Sequence, residues 1–144
     1  MSTIGHILQH KGNEVWTTTP DTVVYDALSL MADKNIGALL VLDQAGVVGI
    51  FSERDYARKV VLKGKSSRDI RVSDIMTDRV VYIKPKQTVE ECLALMTDKK
   101  VRHLPVMAED RLAGLISIGD VVKAIISDRE FTIVQLENYI TGVD

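Results

Sequence analysis

Apolar residues recur along the chain with alternating helical and strand periods, and the same order of elements occurs twice. In each half, a helical apolar stripe is followed by a short continuous apolar run, a polar turn and a second apolar run. This order predicts a helix followed by two neighbouring strands in each half. The stripes consist of Val24, Ala27, Leu28, Met31 and Ala32 in the first half and Val89, Cys92, Leu93 and Met96 in the second.

The pattern also predicts where the elements begin and end. In the first half it predicts a helical turn over 3–8, strands over 14–18, 38–42 and 47–51, a helix entrance at 19–22 and a helix over 52–62. In the second half it predicts a short helix over 72–76, strands over 80–83, 102–107 and 112–116, a helix entrance at 84–87 and a helix opening over 121–126. An extra helix is predicted over 129–140.

Both halves contain the same junction motif. Gly49-Ile50-Phe51-Ser52-Glu53-Arg54-Asp55 and Gly114-Leu115-Ile116-Ser117-Ile118-Gly119-Asp120 stand 65 positions apart, and the halves align without a gap from Val15/Val80 to Tyr56/Val121. Each motif is a strand that runs into a helix start, with a hydroxyl and a carboxylate at the junction. A helix N-terminus has unpaired N–H groups and a partial positive charge, which suit a phosphate group.

Composition narrows the class of protein. The chain has 144 residues, a formal net charge of −2 and one cysteine, Cys92. A disulfide framework is therefore excluded, and no basic field favours nucleic acid. No apolar run approaches the roughly 20 residues that span a bilayer, and we expect neither a signal peptide nor a membrane partner. The expected location is the cytoplasm.

The duplicated unit predicts the fold. Two β-α-β-β-α copies, each too small to bury both faces of its sheet, predict an α/β (α+β) fold. We expect the two repeats to pack sheet to sheet with pseudo-two-fold symmetry, which creates paired clefts. The expected bounds are 1–65 for the first repeat, 66–128 for the second and 129–144 for a C-terminal helical extension.

The repeat resembles the CBS domain, and the whole chain resembles a stand-alone tandem CBS pair, or Bateman module. The resemblance rests on the duplicated junction motif and on Arg102-His103-Leu104-Pro105-Val106, and it covers roughly Ile4 to Ser127. It implies a sensor that binds an adenine nucleotide (AMP, ADP or ATP), NAD(H) or S-adenosylmethionine. It also implies a homodimer, and a protein partner that receives the signal in trans.

The same resemblance implies which residues form the two clefts. The motif aspartate accepts hydrogen bonds from both ribose hydroxyls, while the serine, the helix-start amides and a cation three residues later face phosphate. The first cleft would use Thr19, Val24, Ile36, Gly37, Ala38, Leu115, Ser117, Asp120 and Lys123. The second would use Lys84, Val89, Val101, Arg102, His103, Leu104, Ile50, Ser52, Arg54, Asp55 and Arg58.

The two clefts differ in charge. The second has Arg54 where the first has Gly119, so it is expected to prefer the more phosphorylated part of a ligand. Arg102 and His103 replace Gly37 and Ala38, and this asymmetric centre could hold the phosphate of a dinucleotide.

Other interpretations remain open from sequence. Each Ser-x-x-Asp could be only a helix cap with a first-turn acid. A non-catalytic dimerisation module with vestigial nucleotide sites is the alternative function. An enzyme is not expected, because Asp55 and Asp120 hold equivalent roles in separate repeats and no activated nucleophile accompanies them. His6, His10 and His103 have no metal-ligand spacing, so no metal site is expected.

Overall fold

A computed structural model describes residues 2–141 of the chain. The chain forms two compact units that are not both continuous in sequence. The first-repeat unit is Glu14–Val81, and the second-repeat unit combines the residues up to Asn13 with those from Tyr82 onward. Each unit has a small sheet and several helices, which confirms the predicted mixed α and β class.

The first-repeat unit has a three-stranded sheet in the order β1-β2-β3. Strand β1 runs parallel to β2, and β2 pairs antiparallel with β3. The elements are β1 (Thr17–Thr18), α2 (Val24–Lys34), β2 (Ala38–Asp43), β3 (Gly46–Ser52), α3 (Glu53–Tyr56) with a following π-helical turn (Ala57–Val61), and α4 (Val72–Ile75).

The core of this unit lies between the sheet and its helices. Phe51 is fully buried there together with Val24 and Leu39. The glycine of the junction motif has a packing role, because a Cβ on Gly49 would lie 2.6 Å from the sulfur of Met76 and 3.0 Å from the carbonyl oxygen of Thr77. Ile50 and Thr77 exchange two backbone hydrogen bonds of 2.9 Å at this close approach.

The second-repeat unit contains a two-stranded antiparallel sheet and three helices. Its core includes the buried thiol of Cys92, whose pKa burial raises to about 11. Gly114 has the same packing role as Gly49, since a Cβ on Gly114 would lie 2.6 Å from a methyl carbon of Leu8. The elements are α1 (Ile4–Lys11), α5 (Val89–Lys99), β4 (His103–Ala108), β5 (Arg111–Ser117) and α6 (Ile118–Thr141).

Helix α1 belongs to this unit by its hydrogen bonds as well as by its packing. The N–H groups of Ile4 and Gly5 donate to the carbonyl oxygens of Gln87 and Pro85, both at 2.9 Å. Thr3 caps the helix by accepting from the N–H of His6. This cap satisfies one of the N–H groups that a helix start leaves without a partner.

The predicted strand over 80–83 is wrong, because only Ile83 forms a bridge, to Val106. In a parallel ladder the next bond would run from the N–H of residue 105 to the carbonyl oxygen of Val81. That residue is Pro105, which has no N–H. In the first repeat the equivalent residue is Leu40, whose N–H donates to Trp16, and β1 forms there.

Several helix predictions need correction. The extra helix predicted over 129–140 is not separate, because α6 runs without a break over 24 residues. The helix predicted over 52–62 changes to π-helical hydrogen bonding at Ala57. The long helices begin at Val24 and Val89, later than the predicted entrances, and Thr88 caps the second by accepting from the N–H of Glu91.

Candidate functional site

Asp120 and Ser117 form a reciprocal cap at the junction of β5 and α6. The N–H of Ser117 donates to Asp120 Oδ2 at 2.8 Å, and the N–H of Asp120 donates to Ser117 Oγ at 3.2 Å. The carboxylate thus stands at the N-terminus of a 24-residue helix, where the helix dipole favours negative charge.

Lys11, the last residue of α1, reaches this carboxylate from the far end of the sequence. Its ammonium group lies 2.6 Å from Asp120 Oδ2 and 2.8 Å from the carbonyl oxygen of Leu115. The bonds from Lys11 and Ser117 therefore end on the same oxygen of Asp120. The other oxygen, Oδ1, is the one that a ligand hydroxyl could approach with less competition.

The ion pair sets the charge state of the site. Burial raises the pKa of Asp120, but the hydrogen bond from Lys11 and those from Ser117 outweigh burial, so the pKa lies below the ordinary value. Nearby, burial lowers the pKa of His103, the charge of Lys11 lowers it further, and Asp120 partly opposes both. At neutral pH the site thus holds an ionised carboxylate beside a neutral imidazole.

A groove of about 740 Å³ runs from Asp120 between α1 and the first half of α6. Its cationic and protonatable side chains are His6, His10, Lys11 and Lys123. The acid at its other end, Asp128, accepts from the N–H and the hydroxyl of Ser2 at 3.1 and 2.7 Å, and these bonds lower its pKa. Lys11 pairs with Asp120 and Asp128 accepts from Ser2, so Lys123 and the two histidines are the basic groups that an anionic ligand in the groove would meet.

Asp55 caps α3 in the same way as Asp120 caps α6, but it is more fully bonded to protein. Its Oδ2 accepts from the N–H and the hydroxyl of Ser52, both at 3.0 Å. Its Oδ1 accepts from the Thr77 hydroxyl at 3.2 Å and lies 3.2 Å from the ammonium of Lys59. The residue is only 8 % exposed. The Asp55 carboxylate therefore mainly stabilises the fold of the first-repeat unit.

The other predicted site residues are divided between the units, and each predicted cleft draws on both. In the first-repeat unit, Val24 and Ala38 are buried core residues, whereas Thr19, Arg54 and Arg58 are exposed. Ile36 and Gly37 line a smaller groove of about 600 Å³ beside α2 and α3, and Ile50 pairs with Thr77.

In the second-repeat unit, Val89 and Leu104 are also core residues, and Lys84 and Arg102 are exposed. Val101 is half-buried at the end of α5. Leu115, Ser117, Asp120 and Lys123 lie together around the junction of β5 and α6. The structure thus brings together the four predicted residues of the first cleft that this unit supplies.

Sequence reasoning missed Lys11, Lys59 and Thr77. Lys11 stands 109 positions before Asp120, and no local pattern connects them. Lys59 follows Asp55 by four residues, a spacing that places two side chains on one helix face and could have indicated the pair. Thr77 stands 22 positions after Asp55 and bonds to it where the strand of Gly49 lies close to residues 76–77, a contact that depends on tertiary packing.

Substitution of Lys11 by methionine should raise the pKa of Asp120. A folded-state pKa below the ordinary value stabilises the fold above that ordinary value, and this contribution is lost as the pH falls through the folded pKa. Without Lys11, the folded-state pKa lies closer to the ordinary value, so the stabilising contribution should be smaller and its loss should be complete at a higher pH. An NMR titration of the Asp120 carboxyl carbon measures the shift. Lys123→Met, in the same groove, is the control, and an equal shift in both variants would contradict a specific role for the ion pair.

Within residues 2–141, no three histidine, cysteine or acidic side chains are grouped so that they could hold a metal ion. Over the same residues, no helix combines the length and the apolar character required to cross a bilayer.

Comparisons with known proteins agree with the duplicated fold. The family model described as the CBS domain matches residues 6–62 and 72–127. CBS domain-containing protein CBSX3, mitochondrial, of Arabidopsis thaliana is 38 % identical over 151 residues, which cover 98 % of this chain and 73 % of that protein.

Solved structures give the same result. A CBS-domain protein of Burkholderia ambifaria MC40-6, named for a proposed role in signal transduction, is 52 % identical with a TM-score of 0.85, covering 88 % of this chain and 96 % of the other. The CBS domain pair of protein MJ0100, solved with 5′-methylthioadenosine and S-adenosylmethionine, shares the fold at 21 % identity and a TM-score of 0.75, covering 86 % and 99 %. The chain belongs to the CBS domain family and carries two CBS domains in tandem.

Proposed function

We propose that this protein is a regulatory module that binds an adenosine-containing nucleotide at Asp120 and passes the bound state to a partner protein. The observation that carries the proposal is the Asp120 carboxylate, which is held at the start of a long helix and lines a groove that also contains Lys11, Lys123 and two histidines. A carboxylate suits a ribose because its oxygens can accept from both vicinal hydroxyls.

The groove indicates how this ligand would be oriented. With the ribose at Asp120, the phosphates would lie toward Lys123 and the two histidines of α1, whose basic side chains line the groove. AMP, ADP, ATP and NAD(H) all contain the required ribose and phosphate. The MJ0100 pair, which has the same fold, was solved with two adenosine-containing ligands that lack phosphate, so the panel below includes S-adenosylmethionine.

The alternative function, a structural dimerisation module, is favoured by one observation in the first repeat. Asp55 has partners on both carboxylate oxygens, which is what a structural cap requires. We therefore assign ligand binding first to Asp120 and treat Asp55 as a cap. Residues of the first-repeat unit are also predicted to line both clefts, and their contributions to ligand binding stay predictions.

A thermal-shift panel with AMP, ADP, ATP, NAD⁺, NADH and S-adenosylmethionine tests the proposal. A ligand at about 100 times its dissociation constant should stabilise the fold by about 2.7 kcal/mol, which raises the melting temperature by several degrees. A shift with at least one of these ligands, absent with inorganic phosphate alone, supports the nucleotide sensor. No shift with any of them would overturn it in favour of the dimerisation module.

The module acts as a homodimer and signals in trans, and it binds its ligand without transforming it. The cytoplasm stays our prediction for its location, although the name of the plant relative places that protein in mitochondria.

A further inference from the structure

The second half of α6 exposes an unusual amount of apolar surface. Within residues 129–141, every residue except Asn138 is exposed, so this part of the helix has no core behind it. An isolated helix of this length is marginally stable in water, and a fully solvated one should be polar. Six of its thirteen residues are nevertheless apolar: Phe131, Ile133, Val134, Leu136, Tyr139 and Ile140.

Part of this apolar surface has the spacing of a coiled coil. One stripe follows the helix with steps of four, three, four, three and four residues, which is the pattern of positions a and d in a heptad repeat. Its apolar members are between 45 % and 81 % exposed. We call this stripe the α6 seam; it consists of Val122, Ile126, Arg129, Ile133, Leu136 and Ile140.

The seam is separate from the groove at Asp120. None of the α6 residues that line the groove belongs to the seam; they are Asp120, Lys123, Ala124, Ser127, Asp128 and Phe131. At about 100° per residue, Ser127 lies roughly 100° around the helix from Ile126, and Phe131 about 160° from Ile133. A ligand in the groove and a helix on the seam would therefore occupy different sides of α6.

We propose that the α6 seam binds the same seam of a second copy in antiparallel orientation. The step pattern reads the same in both directions, so two copies related by a two-fold axis match along the whole seam. Val122 then meets the partner's Ile140, Ile126 meets the partner's Leu136, and Arg129 meets the partner's Ile133. The contact extends over about 27 Å of helix.

Charge selects the antiparallel arrangement over the parallel one. In a parallel pair, Arg129 would face the partner's Arg129 in one layer of the interface. In the antiparallel pair, Arg129 instead meets the partner's Ile133 and comes within reach of the partner's Glu130. A single polar residue within an apolar seam fixes register at some cost in stability, and Arg129 has that position here.

The inference rests on the proposed homodimer and specifies the surface through which its two copies bind each other. It also accounts for the length of α6, since the exposed end of each helix would cover Val122 and Ile126 of the other copy.

Ile133→Glu places a carboxylate in a central layer and should weaken the dimer at least tenfold. Val134→Glu, one residue away and 49 % exposed, is the matched control because it lies outside the seam.

Sedimentation over a concentration series measures the result, with a chain mass of 16.0 kDa. We expect dimers for the wild type and for Val134→Glu, and monomers for Ile133→Glu at the same concentrations. If Ile133→Glu assembles like the control, the homodimer stands but another surface makes it, and the seam is overturned. If the wild type is itself monomeric, both the homodimer and the seam are overturned.

Disulfide cross-linking tests the orientation. The Val122→Cys/Ile140→Cys double variant should form disulfides between copies under mild oxidation, because the two positions share a layer in the antiparallel pair. Each single variant should not. Cross-linking of Ile140→Cys alone would indicate parallel helices and overturn the proposed orientation. The native thiol, Cys92, is fully buried with a pKa of about 11 and should not compete.

Discussion

Replacing Asp120 with alanine is expected to weaken the binding of an adenosine-containing nucleotide about 100-fold or more. A hydrogen bond to a charged group contributes about 1.5–3 kcal/mol, and the ribose offers two hydroxyls to this carboxylate. A loss of about 3 kcal/mol corresponds to a factor of about 100 in affinity. Isothermal titration calorimetry, with the nucleotide that gives the largest thermal shift, measures the change.

Asp55→Ala provides the matched control for that measurement. It removes the equivalent carboxylate from the other repeat, where Ser52, Thr77 and Lys59 already bind both oxygens. We expect nucleotide affinity within a few-fold of the wild type and a loss of about 1–2 kcal/mol of unfolding free energy, the usual cost of a lost cap. The reverse result, with affinity lost only in Asp55→Ala, would assign the ligand to the first repeat.

Phe51→Ala should lower the free energy of unfolding by about 3–5 kcal/mol, because it removes a fully buried aromatic ring and leaves a cavity. Total stabilities of about 5–15 kcal/mol are usual, so this is a large fraction. Urea denaturation followed by circular dichroism measures the loss.

The chain supplies its own control for this variant, because it has two phenylalanines and the other, Phe131, is 66 % exposed on α6. Phe131→Ala makes the same chemical change at the surface and should cost less than about 1 kcal/mol. Equal losses in the two variants would contradict the assignment of Phe51 to the core.

The duplication predicted most of the fold because it is a comparison of the chain with itself. Strand β4 aligns with β2 and β5 with β3 at the constant offset of 65, and the structure pairs both hairpins in the same register, down to the shift after Val41 and after Val106. Local patterns that recur at equivalent positions reinforce one another, so these elements could be predicted within a residue or two of their observed ends.

The same comparison failed where one residue differs between the repeats. Leu40 and Pro105 occupy equivalent positions, and both are compatible with a strand when each is considered alone. Only the hydrogen bond to the neighbouring strand distinguishes them, since Leu40 donates to Trp16 and Pro105 has nothing to donate. Pro105 is visible in the sequence, but its effect on strand formation can be predicted only when the register of the parallel strand pair is known.

The candidate site was predictable in part for a related reason. Asp120 and Ser117 lie in one motif, so their spacing was visible. Lys11 and the histidines of α1 come from the opposite end of the chain and approach the site only through the docking of α1. Ion pairs between distant segments leave no periodic trace in a sequence, because they depend on tertiary packing alone.

The two-part construction of the second-repeat unit has a consequence for biosynthesis. On the ribosome, α1 emerges early, but the carbonyl groups of Pro85 and Gln87 that receive its first N–H groups are made more than 70 residues later. The first-repeat unit, continuous from Glu14 to Val81, has all its residues by then. Non-local contacts form slowly and domains fold as units during synthesis. The nascent chain should thus complete the first-repeat unit first and dock α1 only after residues 85–87 of the second-repeat unit have been made.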